Sequence, residues 1–331
     1  MKREAILIFM IFFLPGMIFF HSCRKEIYTV ESIRVTVSPG KPLRDLVFLN
    51  DSLGFACGGI PLSEGFIYRT RNGGQTWEPV FRHSFKCLYT LCMHPDGYGM
   101  AGGDSLVLIR TRDFGITWFD HWMGNSVPQH VFNHPRFSES FAIPPMTYMV
   151  AGEYYKKGVV YVSPDYGETW THAFFPNELS GLTFANPDTG WFCGNGILLQ
   201  TRDRGLTLED RGMQGEFFSC IHRISPDILF LGCHSGAVYR STDSGKTWNR
   251  TATLGNGGYG SQGIVCMDIS GRRIAVAGEN GFLCVSEDAG VHCTEYSSGT
   301  EAMIHSLCFH NGWIWLAAAD GYLYRIRTDA R

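Results

Sequence analysis

The side chains that could bind a metal or catalyse a reaction in this 331-residue chain include 12 histidines and 11 cysteines. His94, His222, His305 and His310 fall on or beside apolar segments that predict strands. None of these four stands in a His-x-x-x-His pair, and the chain has no Cys-x-x-Cys motif, so their spacing does not indicate a zinc site. We therefore interpret the four histidines as core or channel residues, and we predict neither a metal nor a cofactor.

Ten cysteines follow Cys23, and several occupy equivalent positions in predicted strands. A position that recurs from repeat to repeat favours a packing role, because free cysteine behaves as a small hydrophobic residue. These positions are Cys57, Cys92, Cys193, Cys266 and Cys308. Cys284 and Cys293 flank one predicted hairpin and could form a disulfide across it, whereas spacing does not assign the other pairings.

Acidic side chains raise the question of glycoside hydrolysis, which needs two carboxylates placed across a cleft. Glu153, Glu279, Asp104 and Asp320 fall in predicted loops, where most carboxylates are simply solvated. We therefore assign no catalytic residue and predict that the protein is not an enzyme. A glycan-binding or glycoside-hydrolysing protein remains the alternative.

Composition and charge indicate a folded protein without a general affinity for polyanions. The chain is 44% hydrophobic and 18% charged, and its 28 Lys and Arg nearly balance its 31 Asp and Glu, for a net charge of −3. That composition is typical of a globular protein. A balanced charge gives no overall attraction for nucleic acid, so we predict no nucleic-acid partner.

The first residues have the pattern of an export signal. Lys2 and Arg3 precede an uncharged apolar run, 5–20, which is short for a membrane span and is interrupted by Pro15-Gly16. Cys23 follows the small Ser22 and resembles the lipidated cysteine of bacterial lipoproteins. We predict a signal peptide over 1–22, a tether over 23–26 and a lipid anchor on Cys23, which places the protein on the periplasmic side or the cell surface. The alternatives are a transmembrane anchor and simple secretion with an unacylated Cys23.

Six segments of the remaining chain share the pattern Ser/Thr-x-Asp/Asn-x-Gly-x-Thr-Trp, which we call the box. Four boxes are complete and two have lost the tryptophan; they are 70–77, 111–118, 163–170, 201–208, 241–248 and 286–293. Their acidic or Asn positions are 41, 52, 38, 40 and 45 residues apart. A period near 40 residues, with strand-forming Val, Ile, Phe, Tyr and Trp, predicts the blades of a β-propeller.

The box is predicted to be a structural turn. Asp or Asn can accept hydrogen bonds from nearby backbone N–H groups, Gly supplies a positive φ, and Trp buries a large ring between blades. We predict this role for Asn72, Asp113, Asp165, Asp203, Asp243 and Asp288. The boxes should lie on the hairpins between the third and fourth strands of each blade.

Two apolar runs precede every box, so that each repeat predicts one four-stranded blade. A seventh repeat, within 304–326, lacks a fourth strand of its own. The segment 27–37, with alternating Ile33, Val35 and Val37, is an unassigned strand at the other end of the chain. We therefore predict an all-β fold: a single seven-bladed propeller over 27–331, closed by the N-terminal strand as the outer strand of the last blade.

The boxes, together with the Asp-x-x-Gly-Phe-x-x-Gly sequence at 51–58 and the similar Asp-x-Gly-Trp-x-x-Gly sequence at 188–194, resemble the BNR or Asp-box repeat propellers. Among these the chain is most similar to the photosystem II stability and assembly factor family and its bacterial lipoprotein relatives. The resemblance implies a non-enzymatic scaffold that binds another protein during assembly of a membrane complex. The same box occurs in sialidases, but the Arg-Ile-Pro sequence typical of sialidases is absent here.

Three loops carry the residue types that favour a protein partner. Aromatic rings beside lysines are common at interface hot spots. We predict partner binding by Trp122 of a long insertion, by Tyr259 in a glycine-rich loop, and by the loop Tyr154, Tyr155, Lys156 and Lys157. The sequence thus predicts an envelope-associated scaffold that binds a protein, with a glycan as the other possible ligand.

Overall fold

The computed structural model describes residues 4–14, 17–28, 30–121, 135–153, 157–251 and 263–328, with the backbone alone for 4–27 and 153. Strands β1 (Glu4–Leu14) and β2 (Met17–Ile27) pair antiparallel with each other in a separate two-stranded sheet. Cleavage after residue 22 and acylation of Cys23 are processing events, and they stay predictions. Within the described residues, no helix has the length and apolar character needed to cross a membrane.

The outer strand of the last blade comes first along the chain, and three complete blades follow it. That strand is β3 (Glu31–Thr36). Blade 1 contains β4 (Leu43–Phe48), β5 (Gly54–Ile60), β6 (Glu64–Thr70) and β7 (Glu78–Ser84). Blade 2 contains β8 (Leu88–Met93), β9 (Gly99–Gly103), β10 (Leu108–Thr111) and β11 (Phe119–Asp120). Blade 3 contains β12 (Arg136–Ile143), β13 (Met146–Glu153), β14 (Lys157–Ser163) and β15 (Thr171–Phe175).

The remaining strands form blades 4 to 7. Blade 4 contains β16 (Leu179–Phe184), β17 (Gly190–Gly194), β18 (Ile197–Thr201) and β19 (Glu209–Asp210). Blade 5 contains β20 (Phe218–Arg223), β21 (Leu229–Cys233), β22 (Val238–Ser241) and β23 (Asn249–Arg250). Blade 6 contains β24 (Ile264–Ser270), β25 (Arg273–Gly278), β26 (Leu283–Ser286) and β27 (Thr294–Glu295), with a 3-10 turn at Glu279–Gly281. Blade 7 contains β28 (Ile304–His310), β29 (Trp313–Ala318) and β30 (Tyr322–Arg327).

Seven four-stranded antiparallel sheets result, and the prediction of an all-β seven-bladed propeller is confirmed. Strand β3 pairs with β30 in a register from Glu31 opposite Arg327 to Thr36 opposite Tyr322, so the first and last parts of the propeller share one sheet. The strand is shorter than the predicted segment 27–37. Upstream of it, Tyr28 bridges to Tyr296 at the outer edge of blade 6.

The hydrophobic core consists of seven clusters, one between each pair of neighbouring blades. At the interface that closes the ring, Phe66 and Leu46 of blade 1 pack with Trp315 and Leu323 of blade 7, and all four are buried. Closure therefore buries the same kind of apolar surface as the six interfaces between consecutive blades. That burial is the main favourable term holding the ring together.

In all six boxes the Asp or Asn side chain organises the turn in the same way. Its Oδ1 accepts the hydroxyl of the first box residue at 2.8–3.0 Å and the backbone N–H four positions after itself at 2.8–3.0 Å. In the fifth box Oδ2 of Asp243 also accepts the hydroxyl of Thr247 at 2.6 Å. All these bonds favour the ionised carboxylate and lower the pKa of Asp243 to about 2, with the Thr247 hydroxyl as the largest cause. The box glycine has a positive φ, +79° at Gly245, where an added Cβ would lie 2.7 Å from Nε1 of Trp191 in the preceding blade.

The cysteines divide between one disulfide and a set of buried thiols. Cys284 and Cys293 form a disulfide across the sixth box hairpin. The other cysteines whose side chains the structure describes are free, and all but the partly buried Cys308 are buried. Burial raises the pKa of the Cys220 thiol to about 12, which leaves it protonated and unreactive.

Candidate functional site

The first strand of each blade, the inner strand, has a one-residue register shift near its start. The residues skipped in the pairing are Arg44, Tyr89, Ser138, Ser180, Ser219, Val265 and His305. A bulge re-aims a side chain, and these seven bulges set one ring of side chains at the end of the channel where the inner strands begin. We call that end the mouth face, and the opposite end, which carries the boxes, the box face.

A cationic and aromatic group lies at the mouth face and consists of side chains from blades 7, 1, 2 and 3. The guanidinium carbons of Arg44 and Arg136 lie 5.4 and 5.1 Å from the centre of the Tyr89 ring. Nη1 of Arg44 donates to Nε2 of His305 over 2.9 Å. Burial, reinforced by the two guanidiniums, lowers the pKa of His305 to about 3, so the ring is neutral and can accept this bond. The four side chains line a cavity of about 390 Å³.

Two exposed apolar side chains stand beside this group on the same face. Leu62 is 63% exposed and Phe85 is 70% exposed, and both hold a left-handed backbone, with φ of 57° and 71°. Phe85 N donates to the Ser63 carbonyl at 2.8 Å. A bulky residue in that conformation costs on the order of 1 kcal/mol or more, so the fold holds these two side chains outward against a local penalty.

Asp104 joins the apolar pair to the mouth. Its Oδ2 accepts the backbone N–H of Leu62 at 3.2 Å and that of Cys87 at 3.0 Å, two residues before Tyr89. The Asp104 backbone also bridges to Arg136. Asp104 thus connects the loops that carry Leu62 and Phe85 to the start of the strands that carry Tyr89 and Arg136. We call Leu62, Phe85, Tyr89, Arg44 and Arg136 together the mouth strip.

Three of the bulge residues have a different role, because they fasten neighbouring blades. The hydroxyls of Ser138, Ser180 and Ser219 each donate to the first carbonyl of the next inner strand, at 2.9, 2.6 and 2.6 Å. We call these contacts the serine clasps. They occupy the arc of blades 3 to 6, opposite the mouth strip.

Carboxylates make the equivalent connections elsewhere in the ring. Asp45 accepts the N–H of Leu91 in blade 2 at 2.7 Å and the Ser306 hydroxyl of blade 7 at 2.9 Å. Asp268 accepts the N–H of Phe309 in blade 7 at 2.8 Å. Burial raises the pKa of both acids, although these hydrogen bonds oppose the shift.

Known proteins with this fold were found among solved structures, whereas no family model and no curated protein matches the sequence. A structure of YCF48 bound to a D1 peptide matches with a TM-score of 0.69 and 18% identity, covering 90% of this chain and 97% of that one. YCF48 from Cyanidioschyzon merolae matches with a TM-score of 0.69 and 15% identity, covering 91% and 99%. The chain has the fold of a YCF48-like propeller. The WD40 propeller domain of Doa1 also matches with a TM-score of 0.69, at 11% identity, covering 91% of this chain and 98% of that one. These likenesses therefore establish the architecture alone.

Most of the residues predicted to bind a partner lie outside the described part of the chain. These are Trp122, Tyr154, Tyr155, Lys156 and Tyr259. Lys157 is described; it is exposed and begins β14 on the mouth face. Partner binding by these loops stays a prediction. Their described neighbours, His121 with Arg136 and Thr251 with Gly263, are at the same end of the propeller as the mouth strip.

The carboxylates considered for glycoside hydrolysis have structural partners where their side chains are described. Asp104 holds the mouth strip, Asp320 accepts the hydroxyls of Tyr324 and Thr300 at 2.6 and 3.0 Å, and Glu279 accepts the N–H of Gly263 at 3.2 Å. The side chain of Glu153 lies outside the described part. None of these contacts favours a glycosidase over a protein-binding surface.

Of the four histidines, three line the channel and one does not. His222, His305 and His310 border its cavity, whereas His94 is fully buried and its Nε2 lies 2.9 Å from the Thr147 hydroxyl of blade 3. Burial lowers the pKa of His94 to about 4. In the parts of the chain that the structure covers, no group of three or more His, Cys, Asp or Glu is placed to hold a metal.

Sequence reasoning missed the mouth strip. The bulge residues are recoverable in principle, because each inner strand has a large apolar residue near its start and the variable residue directly after it carries the ring. Only an alignment of the seven repeats on the inner strand, instead of on the box, would have singled out Arg44, Tyr89 and His305.

Proposed function

We propose that this protein is a non-enzymatic scaffold that binds a segment of a protein partner along the mouth strip. The observation that carries the proposal is the pairing of exposed Leu62 and Phe85 with the cationic and aromatic group at the channel mouth. Large exposed apolar side chains on a rigid support, next to Arg and Tyr, have the composition of an interface hot spot.

The strip also indicates the chemistry of the segment. Arg44 and Arg136 suit a carboxylate, since guanidinium groups recognise carboxylates with paired N–H donors. Leu62 and Phe85 suit apolar side chains. The partner segment should therefore carry apolar residues next to an acidic group. The bound peptide named in the YCF48 structure supports the use of this fold to hold a peptide.

Location and process belong to the same proposal. The apolar run 5–20 and Cys23 support export and a lipid anchor, and we propose that the propeller works at the cell envelope during assembly of a membrane complex. A glycan ligand is the alternative, and it is an outcome of the test below.

The test compares two pairs of apolar side chains of similar exposure, one pair on each face of the propeller. The double variant Leu62→Ser with Phe85→Ser removes the apolar part of the mouth strip. The matched control, Ile116→Ser with Leu206→Ser, removes two box-face side chains that are 62% and 77% exposed. The melting temperature of each protein is measured first. Each protein is then used to capture partners from membranes of the cells that produce the native protein, and the captured proteins are quantified by mass spectrometry.

We expect one partner to be captured by the native protein and by the control variant, and to be lost from the mouth variant. Retention of that partner by the mouth variant would exclude the mouth strip. Recovery of glycan alone, equally by all three proteins, would move glycan recognition into first place.

A further inference from the structure

Arg110, on the third strand of blade 2, is fully buried where this blade meets blade 3. Its Nη2 donates to Oε1 of Glu168 in blade 3 at 2.7 Å, whereas no acceptor within the described residues reaches its Nε or Nη1. The same Glu168 oxygen also accepts Nη2 of the exposed Arg112 at 2.7 Å. One carboxylate therefore serves two guanidinium groups, and the buried one keeps unused donors. Buried polar groups are rarely left in this state.

Blade 1 shows which partners an arginine at this position needs. Arg69 occupies the equivalent position in β6, and Glu78 lies directly opposite it on the outer strand. Oε1 of Glu78 accepts Nε and Nη2 of Arg69 at 3.2 and 2.8 Å. Nη1 of Arg69 donates to the carbonyl of Gly115, in the box of the next blade, at 3.0 Å. Every nitrogen of this guanidinium group is therefore used.

Blade 2 lacks both kinds of partner. The residue opposite Arg110 on the outer strand is Phe119, where blade 1 has its glutamate. The glycine carbonyl in the box of the next blade, that of Gly167, accepts Nε1 of Trp170 at 3.1 Å instead. An acidic group is thus missing at one defined place, beside Phe119 and next to a buried guanidinium group.

The charge balance indicates that the missing group is an anion. In the ion pairs of this interface, Arg110 and Arg112 carry two positive charges against the single negative charge of Glu168. The neighbouring His121 adds no charge, because burial, reinforced by the Arg110 guanidinium, lowers the pKa of its ring. A water molecule could satisfy an N–H group, but it would not neutralise the excess positive charge. A carboxylate does both, since it accepts charge-assisted hydrogen bonds from guanidinium groups.

The surroundings favour a carboxylate that is attached to an apolar group. Phe119 is 39% exposed, and the guanidinium carbon of Arg112 lies 5.7 Å from the centre of its ring. The guanidinium carbon of Arg110 lies 5.9 Å from the ring centre of Tyr98, which stacks on Tyr166 at a centroid distance of 4.4 Å. Aromatic rings of this kind provide apolar contact area next to the positive charge.

We propose that the interface between blades 2 and 3 binds a carboxylate joined to an apolar group, with Arg110 as its main donor and Phe119 as its apolar contact. The ligand enters at the outer edge of blade 2, where Phe119 and Arg112 are exposed. The carboxylate comes either from a free apolar acid or from an acidic side chain of a protein, and both share the same chemistry. The site stands apart from the mouth strip, because the two have no residue in common.

The test is calorimetric titration of the intact chain with 3-phenylpropionate and with its neutral analogue 3-phenylpropan-1-ol. The acid should bind with saturation, and the alcohol should not bind. Phe119→Glu supplies within the chain the carboxylate that Glu78 supplies in blade 1, so it should weaken binding of the acid about tenfold or more. Ile116→Glu is the matched control, because it adds the same charge to the same hairpin at an exposed position. This control should change binding by less than about twofold.

Arg110→Met removes the guanidinium group and should abolish binding, and Phe119→Glu decides the question if Arg110→Met folds poorly. Two peptides with capped ends, Phe-Glu and Phe-Gln, identify the source of the carboxylate. Binding of the glutamate peptide without its glutamine analogue shows that a protein side chain reaches the site. Binding of 3-phenylpropionate alone restricts the site to free acids.

Three results would overturn the proposal: no saturable binding of either acid, equal binding of the neutral analogues, or unchanged binding by Phe119→Glu. The first of these would mean that water satisfies the unused donors of Arg110. The Leu62→Ser/Phe85→Ser variant should bind 3-phenylpropionate normally even if it loses its protein partner, so failure of this proposal and failure of the proposed function are distinguishable.

Discussion

Glu139 should make the stability of the propeller fall as the pH rises. In the folded protein burial raises the pKa of this carboxyl from 4.5 to about 8, so between these values the folded state binds a proton that the unfolded state has released. Stability from this group is therefore fully present below pH 4.5 and is lost as the pH rises through 8. From pH 6 to pH 8.5 the loss amounts to about 2 kcal/mol.

The variant Glu139→Gln isolates this contribution. Glutamine keeps an Oε1 acceptor for Ser140 N and Thr90, and it carries no titrating proton. Urea unfolding of the native protein and the variant at pH 6, 7 and 8.5 should show the variant gaining about 2 kcal/mol of stability relative to the native protein between pH 6 and pH 8.5. Glu301→Gln is the exposed control and should follow the native protein. Parallel pH profiles for native protein and Glu139→Gln would refute the reasoning.

Three further effects on stability follow from the contacts in the ring. Ser180→Ala removes the 2.6 Å clasp to the Phe218 carbonyl and should lower the free energy of unfolding in urea by about 1 to 2 kcal/mol. Ser84→Ala, at an exposed position, is the control. An unchanged free energy of unfolding in Ser180→Ala would mean that the clasp does not stabilise the fold. Asp165→Ala removes the acceptor of three box hydrogen bonds and should cost a similar amount. An unchanged unfolding midpoint would contradict a structural role for the box. Burial lowers the pKa of His94 to about 4, so between pH 6.5 and pH 4 only the unfolded state takes up a proton on this ring. His94 should therefore lower the stability of the protein as the pH falls through this range. His94→Gln should reduce this loss of stability at acidic pH, and an unchanged loss would assign it to other groups.

The fold could be predicted because its main determinants are local and repeated. Each box contains its own hydroxyl, carboxylate and glycine, so an eight-residue pattern is enough to identify the turn at positions such as Asp165 and Asp243. Closure by the N-terminal strand followed from counting, since the seventh repeat lacked one strand and the segment around Ile33 was unassigned. The strand's start at Glu31 instead of 27 was not evident, because Tyr28 joins the edge of blade 6.

The site could not be predicted in the same way, because its geometry depends on long-range register. Arg44 and His305 are 261 residues apart, and they meet only because the ring closes. Glu139 reads as a surface residue in an alternating strand, yet its position next to a bulge on the inner strand turns it into the channel. Aromatic and charged composition directed attention to loops such as 154–157, whereas the backbone strain that holds out Leu62 and Phe85 leaves no mark on the sequence.

The positions at which the seven blades differ distinguish residues that we propose bind a partner from residues that stabilise the ring. Each blade has one bulge position at the channel mouth. If these positions served stability alone, a serine clasp at every one of them would be sufficient. Ser138, Ser180 and Ser219 make this clasp along one arc. On the other arc Arg44 and Tyr89 occupy the equivalent positions and make no such clasp. There the residues one position further along, Asp45 and Thr90, connect their blades to the next ones. Because Asp45 and Thr90 make these connections, Arg44 and Tyr89 are available to face a ligand. The two arcs should therefore respond differently: substitutions in the serine arc should lower stability, and substitutions in the mouth strip should lower binding.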